Sequence, residues 1–161
     1  REGIHFMNSV DLSEVLLDEM VILDREPFKD KDDMFNVMTR QFETAGLVSD
    51  AGAFKKALDF RETLGPTYMG NMIAIPHGKC KEVLTPGIGF CRCREPFIYE
   101  SGGESGEVKY IFVLAISENQ ENDYHLRVLA TLAGFLAHDE FLALLEKAES
   151  YDDLIKGIKE L

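Results

Sequence analysis

The sequence predicts an α/β fold: a single three-layer domain in which a mixed, mostly buried β-sheet carries helices on both faces. Three observations support this. At 161 residues the chain is long enough for one well-buried core and short for two. Apolar runs of strand character are mixed with stretches of helical periodicity from end to end, the pattern of helices layered on a sheet. No internal repeat, low-complexity tract or linker rich in Pro or Ser interrupts it. Residues 9–161 are therefore expected to form the domain, behind an N-terminal tail or remnant over residues 1–8, as a stand-alone chain.

Leu12 to Leu17 reads as one or two amphipathic turns, and Met20-Val21-Ile22-Leu23 as a short first strand. Asp24 to Asp33 contains Pro27 and several charges and reads as a solvated loop, one of whose aspartates can cap the next helix by accepting from free backbone N–H groups. Met34, Val37, Met38, Phe42 and Ala45 recur at helical spacing, and Gly46 stands where a left-handed C-terminal residue belongs. This Met stripe is core, not a ligand site. A second helix is predicted to start after Ser49 or Asp50, to bury Phe54, Ala57 and Leu58, and to end near Arg61. An Arg at such an end serves either the helix dipole or a bound anion, to which it presents a planar fork.

Met72, Ile73, Ala74 and Ile75, bounded by Gly70 and Pro76, read as a buried strand. It ends at His77. Pro76 cannot donate to a ladder and Gly78 tolerates conformations that a side chain forbids, so His77 is expected in a tight loop on a rigid strand, where function often resides. As a bare tripeptide, Pro76-His77-Gly78 is more simply a turn that accepts a His.

Gly87 to Cys93 reads as a strand whose glycines suggest a bulge or a close approach of neighbouring backbone. Cys91 and Cys93 share one face of it as small core residues. Glu95-Pro96 and Ser101 to Gly106 are loop chemistry. Val108 to Ile116 is the clearest strand, because its continuous apolar run suits a central position covered on both faces. A polar link, Ser117 to Asp123, leads into a helix with Leu126, Leu129, Leu132, Ala133 and Leu136 on one side. Further helices are predicted around Glu140 to Ala148 and, capped by Ser150, from Tyr151 to the end. His125 lies two residues after the expected cap, Asp123. It is either a surface His or a partner for an anion at the helix N-terminus. His138 reads as a surface residue near the end of the same helix, compatible with its dipole.

A net charge of −12 argues against nucleic acid as a partner and favours a protein with a basic docking face. Cys80, Cys91 and Cys93 are an odd number without a secretory signal, so a reducing cytoplasm is expected. His5 receives no role. No stretch reaches the about 18 apolar residues that a membrane helix needs.

Taken together, the separated pieces resemble one family, the mannitol/fructose-type enzyme IIA of the bacterial sugar phosphotransferase system (PTS). Its signature is an Arg-Glu pair, a loop rich in Gly, Ser or Thr, and Ile-Ala-Ile/Val-Pro-His-Gly. Here Arg61-Glu62, Gly65-Pro66-Thr67-Tyr68-Met69-Gly70 and Ile73-Ala74-Ile75-Pro76-His77-Gly78 are similar to it. The family's second His, which opens a helix after a polar loop, is similar to His125 after Glu118-Asn119-Gln120-Glu121-Asn122-Asp123-Tyr124. The resemblance covers nearly all of Leu12 to Leu161.

What it implies is a cytoplasmic phosphocarrier: His77 accepts a phosphoryl group on Nε2 from phosphorylated HPr and passes it to a cysteine of a cognate IIB domain for sugar uptake. Membrane IIC would be reached only through IIB. His125 and Arg61 would stabilise the transferring group, and Thr67 would add a hydroxyl contact or support the loop. No metal and no cofactor is implied. Met69, Met72 and Ile75, where exposed, would suit an apolar docking patch, with core packing the simpler role for Ile75. The loop Gly65 to Gly70 is closer to the mannitol branch than to the nitrogen-regulatory branch. Tyr124 stands where some mannitol-type members have Glu, which leaves the sugar open. Two other readings compete: a regulatory PTS module whose His phosphorylation controls partner binding, and a metal-dependent hydrolase using His77, His125 and Cys80. Against the hydrolase stands the absence of His-Glu-x-x-His or paired Cys-x-x-Cys spacing.

Overall fold

The computed structural model describes residues 10–120 and 123–161. The expected tail over residues 1–8, His5, and Glu121 and Asn122 of the polar link lie outside the described residues.

Asp11 caps the short helix α1, Leu12–Val15, by accepting from the Ser13 N–H at 3.0 Å. The chain passes directly into strand β1, Leu16–Arg25. This strand is longer than the four residues predicted, for a physical reason. Among the described residues it is an edge strand, paired only with β5 (Gly87–Ser101), and exposes Asp18, Glu19 and Asp24 to solvent, which breaks the apolar run. Asp30 then caps α2, Lys31–Thr44, through the Asp33 N–H at 2.8 Å, and Asp50 caps α3, Ala51–Glu62, through the Ala53 N–H at 3.2 Å. Met34, Met38 and Phe42 are buried as their spacing predicts, joined by Phe35, and Gly46 has φ 77°.

Three short strands follow: β2, Tyr68–Gly70; β3, Ile73–Ala74; and β4, His77–Cys80. Two expectations are corrected here. Met72 is not in the strand, because Asn71 and Met72 take φ values of 52° and 63° and turn the chain between β2 and β3. His77 is not in a loop. Pro76 breaks the ladder because it has no N–H to give, yet its carbonyl accepts from Leu114 N–H at 2.9 Å, and His77 opens a new strand in register with Leu114.

β5 and β6 (Glu104–Ser117) form a long hairpin. The loops predicted at Glu95-Pro96 and Ser101 to Gly106 are mostly strand. A register shift between Arg92 and Phe97 absorbs Pro96, and only Gly102 and Gly103 make the turn. The close approach of backbone predicted for the β5 glycines is present at Gly87, where a Cβ would lie 2.7 Å from the Val15 carbonyl oxygen, while at Gly89 a Cβ would meet the Phe42 ring at 3.0 Å. The sheet order is β1-β5-β6-β3-β2, with β4 also on β6. The pairs β1–β5, β3–β6 and β4–β6 are parallel, while β5–β6 and β2–β3 are antiparallel.

β6 is therefore central, and its alternation divides the core. Ile111, Val113 and Ala115 pack with Met34, Phe42, Phe54 and Leu58 of α2 and α3. Phe112, Leu114 and Ile116 pack on the other face with α1 and with α4 (Tyr124–Leu136), α5 (Asp139–Lys147) and α6 (Tyr151–Glu160). This is the three-layer α/β arrangement that the sequence predicts. Ser150 caps α6 through the Asp153 N–H at 3.0 Å, while Asp123 stands at the cap position of α4 without a side-chain capping bond. His138 is exposed at the N-cap position of α5. Among the described residues no single helix is long and apolar enough to cross a membrane.

Candidate functional site

Gly78 is the packing residue that assembles the site. A Cβ there would lie 3.0 Å from the Leu58 backbone nitrogen and 3.1 Å from Phe54, so its absence lets α3 rest directly on β4. The last turn of α3 thereby carries Arg61 to His77. Along β4 the side chains alternate, so Gly78 and Cys80 face the buried α3 side, while His77 and Lys79 line a groove of about 790 Å³. His125, in the first turn of α4, lines the same groove. His77, Arg61 and His125 are thus brought together from three separate elements.

The hydrogen bonds set the His77 tautomer. Arg61 Nε donates to His77 Nε2 at 3.0 Å, and an arginine has no acceptor to offer, so Nε2 holds a lone pair. Nδ1 then carries the proton and donates to the Ile75 carbonyl at 3.1 Å. Arg61 Nη1 also donates to the Gly65 carbonyl at 2.8 Å, which fixes the guanidinium plane. The result is a neutral imidazole with its nucleophilic nitrogen beside a cation.

Burial pushes the His77 ring below its ordinary value of 6.5. The charges of Arg61 and His125 act in the same sense, against the Ile75 bond and the charge of Glu62. His125 is also lowered, first by burial and then by the charge of Lys79, with Asp123 opposing. In a chain of net charge −12, Arg61, Lys79 and His125 line one groove, with Glu118 as the acidic side chain among its lining residues. That arrangement suits a dianionic group.

Thr67 lines the groove but is only 2% exposed, and its hydroxyl is already engaged. It donates to Glu62 Oε2 at 2.5 Å and accepts from the Tyr99 hydroxyl at 2.8 Å. This geometry supports the loop-holding role of the two considered for it. Glu62, Lys31, Tyr99 and Ser101 form a network behind the loop that the sequence reading did not identify. The one available signal was Glu62, which follows Arg61 in the motif. Cys80 is not brought to the groove. It lies on the other face of β4, where burial pushes its thiol up. Among the described residues no three His, Cys, Asp or Glu side chains are placed to share a metal ion.

Phe60, Leu64, Met69 and Leu126, each more than half exposed, surround the groove. Met72 is 41% exposed, and Ile75 is core.

Residues 14–161 match the family model described as the phosphoenolpyruvate-dependent sugar phosphotransferase system, EIIA 2. Over 150 residues, 92% of this chain, the protein is 33% identical to the PTS system fructose-specific EIIABC component of Bacillus subtilis (strain 168), and it spans 23% of that protein's length. Its fold superposes on the nitrogen regulatory protein IIA-Ntr from Neisseria meningitidis with a TM-score of 0.76 at 28% identity, covering 91% of this chain and 97% of that one. It superposes on a chain from the complex of enzyme IIA mannitol and phosphorylated enzyme IIB mannitol from Escherichia coli with a TM-score of 0.69 at 25% identity, covering 89% of this chain and 96% of that one.

Proposed function

The chain belongs to the EIIA 2 family of the phosphoenolpyruvate-dependent sugar phosphotransferase system, and on that premise we propose that His77 carries a phosphoryl group from a phosphorylated HPr donor to a cysteine of a IIB domain. The observation that carries this reading is the Nε2 lone pair, held toward the groove by the Nδ1–H bond to Ile75 and set 3.0 Å from Arg61 Nε.

In the first step Nε2 attacks phosphorus in line with the bond that holds it to the donor. The new N–P bond forms as the old one breaks, and the donor group leaves with the electron pair. His77 keeps its Nδ1 proton, and the positive character of the phosphorylated ring is shared with the Ile75 carbonyl. In the second step a IIB thiolate attacks, the Nε2–P bond breaks, and the ring recovers its electron pair as the same neutral tautomer. No proton has to move at His77 in either step. The chemistry is mainly alignment and charge stabilisation. Arg61 gives up its bond to Nε2 when the phosphoryl group arrives, but its bond to Gly65 keeps the fork at hand for the equatorial oxygens. His125 stabilises the same group from α4, and Thr67 supports the loop.

The exposed Phe60, Leu64, Met69 and Leu126 around the groove support a docking face for protein partners, used by donor and recipient in turn. In this reading the chain works in the cytoplasm, serves uptake of a mannitol- or fructose-type sugar, needs no metal or cofactor, does not engage nucleic acid, and reaches membrane IIC only through IIB. A second reading, a regulatory module whose His77 phosphorylation controls partner binding, is favoured by the likeness to IIA-Ntr. Phosphorylated chain mixed with a IIB domain separates the two. The carrier reading expects the phosphoryl group to move to the IIB cysteine and to stay on His77 when that cysteine is replaced by serine. Retention on His77 with every fructose- and mannitol-type IIB tried would favour regulation.

The lowered His77 value has two consequences of defined sign. The ring stays a neutral nucleophile as pH falls through 6.5, and its competence declines only below that. The unfolded chain takes up this proton first, so the residue's contribution to folding stability starts to fall as pH drops through 6.5 and levels off below the folded midpoint. An NMR titration of the His77 ring is expected to give a midpoint below 6.5. A midpoint at or above the ordinary value would contradict the buried, cation-flanked ring.

A further inference from the structure

The ring sits in the groove, but the hydrogen bonds that hold it lead away to the tip of the β5–β6 hairpin. That tip turns through Gly102 and Gly103, with φ 56° and 83°, the left-handed values that both centre residues of a two-residue type I′ turn require. It is seated directly on the loop before β2. A Cβ on Gly102 would lie 2.7 Å from the Pro66 nitrogen, and one on Gly106 would run into the Tyr68 ring. Ser101 and Tyr99, two apart on one face of β5, aim their hydroxyls at Thr67.

Thr67 is the node of this arrangement. Its N–H donates to Ser101 Oγ at 2.7 Å, and its carbonyl accepts from the Ile75 N–H at 2.9 Å. Its hydroxyl joins Tyr99 to Glu62. Ser101 Oγ in turn donates to Glu62 Oε1 at 2.6 Å, and Lys31 Nζ lies 3.1 Å from the same oxygen and balances the charge. From Thr67 two paths reach the reacting ring. One runs through Ile75, whose carbonyl accepts the hydrogen bond from His77 Nδ1–H. The other runs back through Pro66 to Gly65, whose carbonyl holds Arg61, which meets His77 Nε2. Both ring nitrogens are therefore set by peptides that the hairpin tip anchors.

We propose that the β5–β6 hairpin tip positions the phosphoryl-accepting ring, with Ser101 and Glu62 as positioning residues that act through Thr67; this rests on the reading of His77 as the acceptor. Glu62 is a buried carboxylate with both oxygens used, so removing any one partner leaves the others stranded and the loop free to shift. A displacement of about 1 Å at a reacting group costs up to about 10²-fold in rate. The same displacement would release the Nδ1–H bond that selects the tautomer.

The test compares the full wild-type chain with Ser101→Ala and Tyr99→Phe, all ¹⁵N-labelled. The readouts are the ring nitrogen shifts of His77, the rate of phosphoryl uptake from phosphorylated HPr, and the urea midpoint. Ser101→Ala is expected to slow uptake by about 10-fold or more and to move His77 from the Nδ1–H tautomer to a mixture with Nε2–H. Tyr99→Phe removes one hydroxyl while keeping the ring packed, so it is expected to give smaller changes in the same direction and serves where Ser101→Ala fails to fold. A folded variant with the wild-type tautomer and a rate within about twofold of wild type would overturn the proposal, even with a lowered urea midpoint. Were the wild-type chain to take no phosphoryl group at all, the functional reading would fall, and the ring-nitrogen shifts would still decide the coupling between hairpin and ring.

Discussion

His77→Ala is expected to abolish phosphoryl uptake while leaving the protein folded. The loss is total because, in the proposed reading, the substitution removes the nucleophile itself rather than a group that assists it. The fold survives because the part of His77 that belongs to the sheet is its backbone, paired with Leu114 in the β4–β6 ladder, and alanine keeps that pairing. What the fold loses is the ring's bond to Ile75, worth about 1 kcal/mol, and its bond from the charged Arg61, worth about 2 kcal/mol. Incubation with phosphoenolpyruvate, enzyme I and HPr, followed by intact mass measurement without acid, checks it. One phosphoryl group is expected on the wild type and none on the folded variant. A phosphoryl group on the His77→Ala chain would move the acceptor elsewhere.

Arg61→Ala is expected to slow uptake by about 10²- to 10³-fold, the range seen when one preorganised hydrogen-bond donor is removed from a transition state. Two contacts go at once: the donor to Nε2 and the clasp on the Gly65 carbonyl. Lysine is expected to restore little. A single ammonium can supply the charge, but it cannot hold Gly65 and face the phosphoryl oxygens from one rigid plane. The same substitution has a second signature. The Arg61 charge helps to hold the His77 ring low, so Arg61→Ala should raise the His77 midpoint toward the ordinary value. Uptake within about twofold of wild type in Arg61→Ala would remove Arg61 from the transfer step.

How legible the protein was in its sequence depended on where each interaction was written. β6 stood out because a central strand covered on both faces is a continuous apolar run. The helices of both layers followed from their apolar spacing and from cap signals, Ser49 or Asp50 before α3, of which Asp50 is the cap, and Ser150 before α6. β1 was foreshortened because an edge strand spends part of its sequence on solvent-facing carboxylates. β5 looked broken at Pro96 because a register shift, invisible in one strand alone, absorbs the proline. The placement of His77 was legible in outline: beside Pro76 and Gly78, after an apolar run. That it opens a strand depends on Leu114 as a partner, and sequence does not display partners. The same reason hid the network behind the site. Glu62, Thr67, Tyr99 and Ser101 are ordinary residues apart, and only the hairpin that brings Ser101 back to Glu62 across 39 positions turns them into one hydrogen-bonded unit.

The most direct test of the whole account is the site of the phosphorus–nitrogen bond. A ³¹P–¹⁵N correlation spectrum of the ¹⁵N-histidine-labelled chain, phosphorylated through HPr, reports it without any substitution. The predicted result is a phosphoryl group on Nε2 of His77 with Nδ1 still protonated and hydrogen-bonded, as the bond to Ile75 requires. A phosphoryl group on Nδ1 of His77, or on His125, would contradict the tautomer, the role given to Arg61 and the order of events built on them.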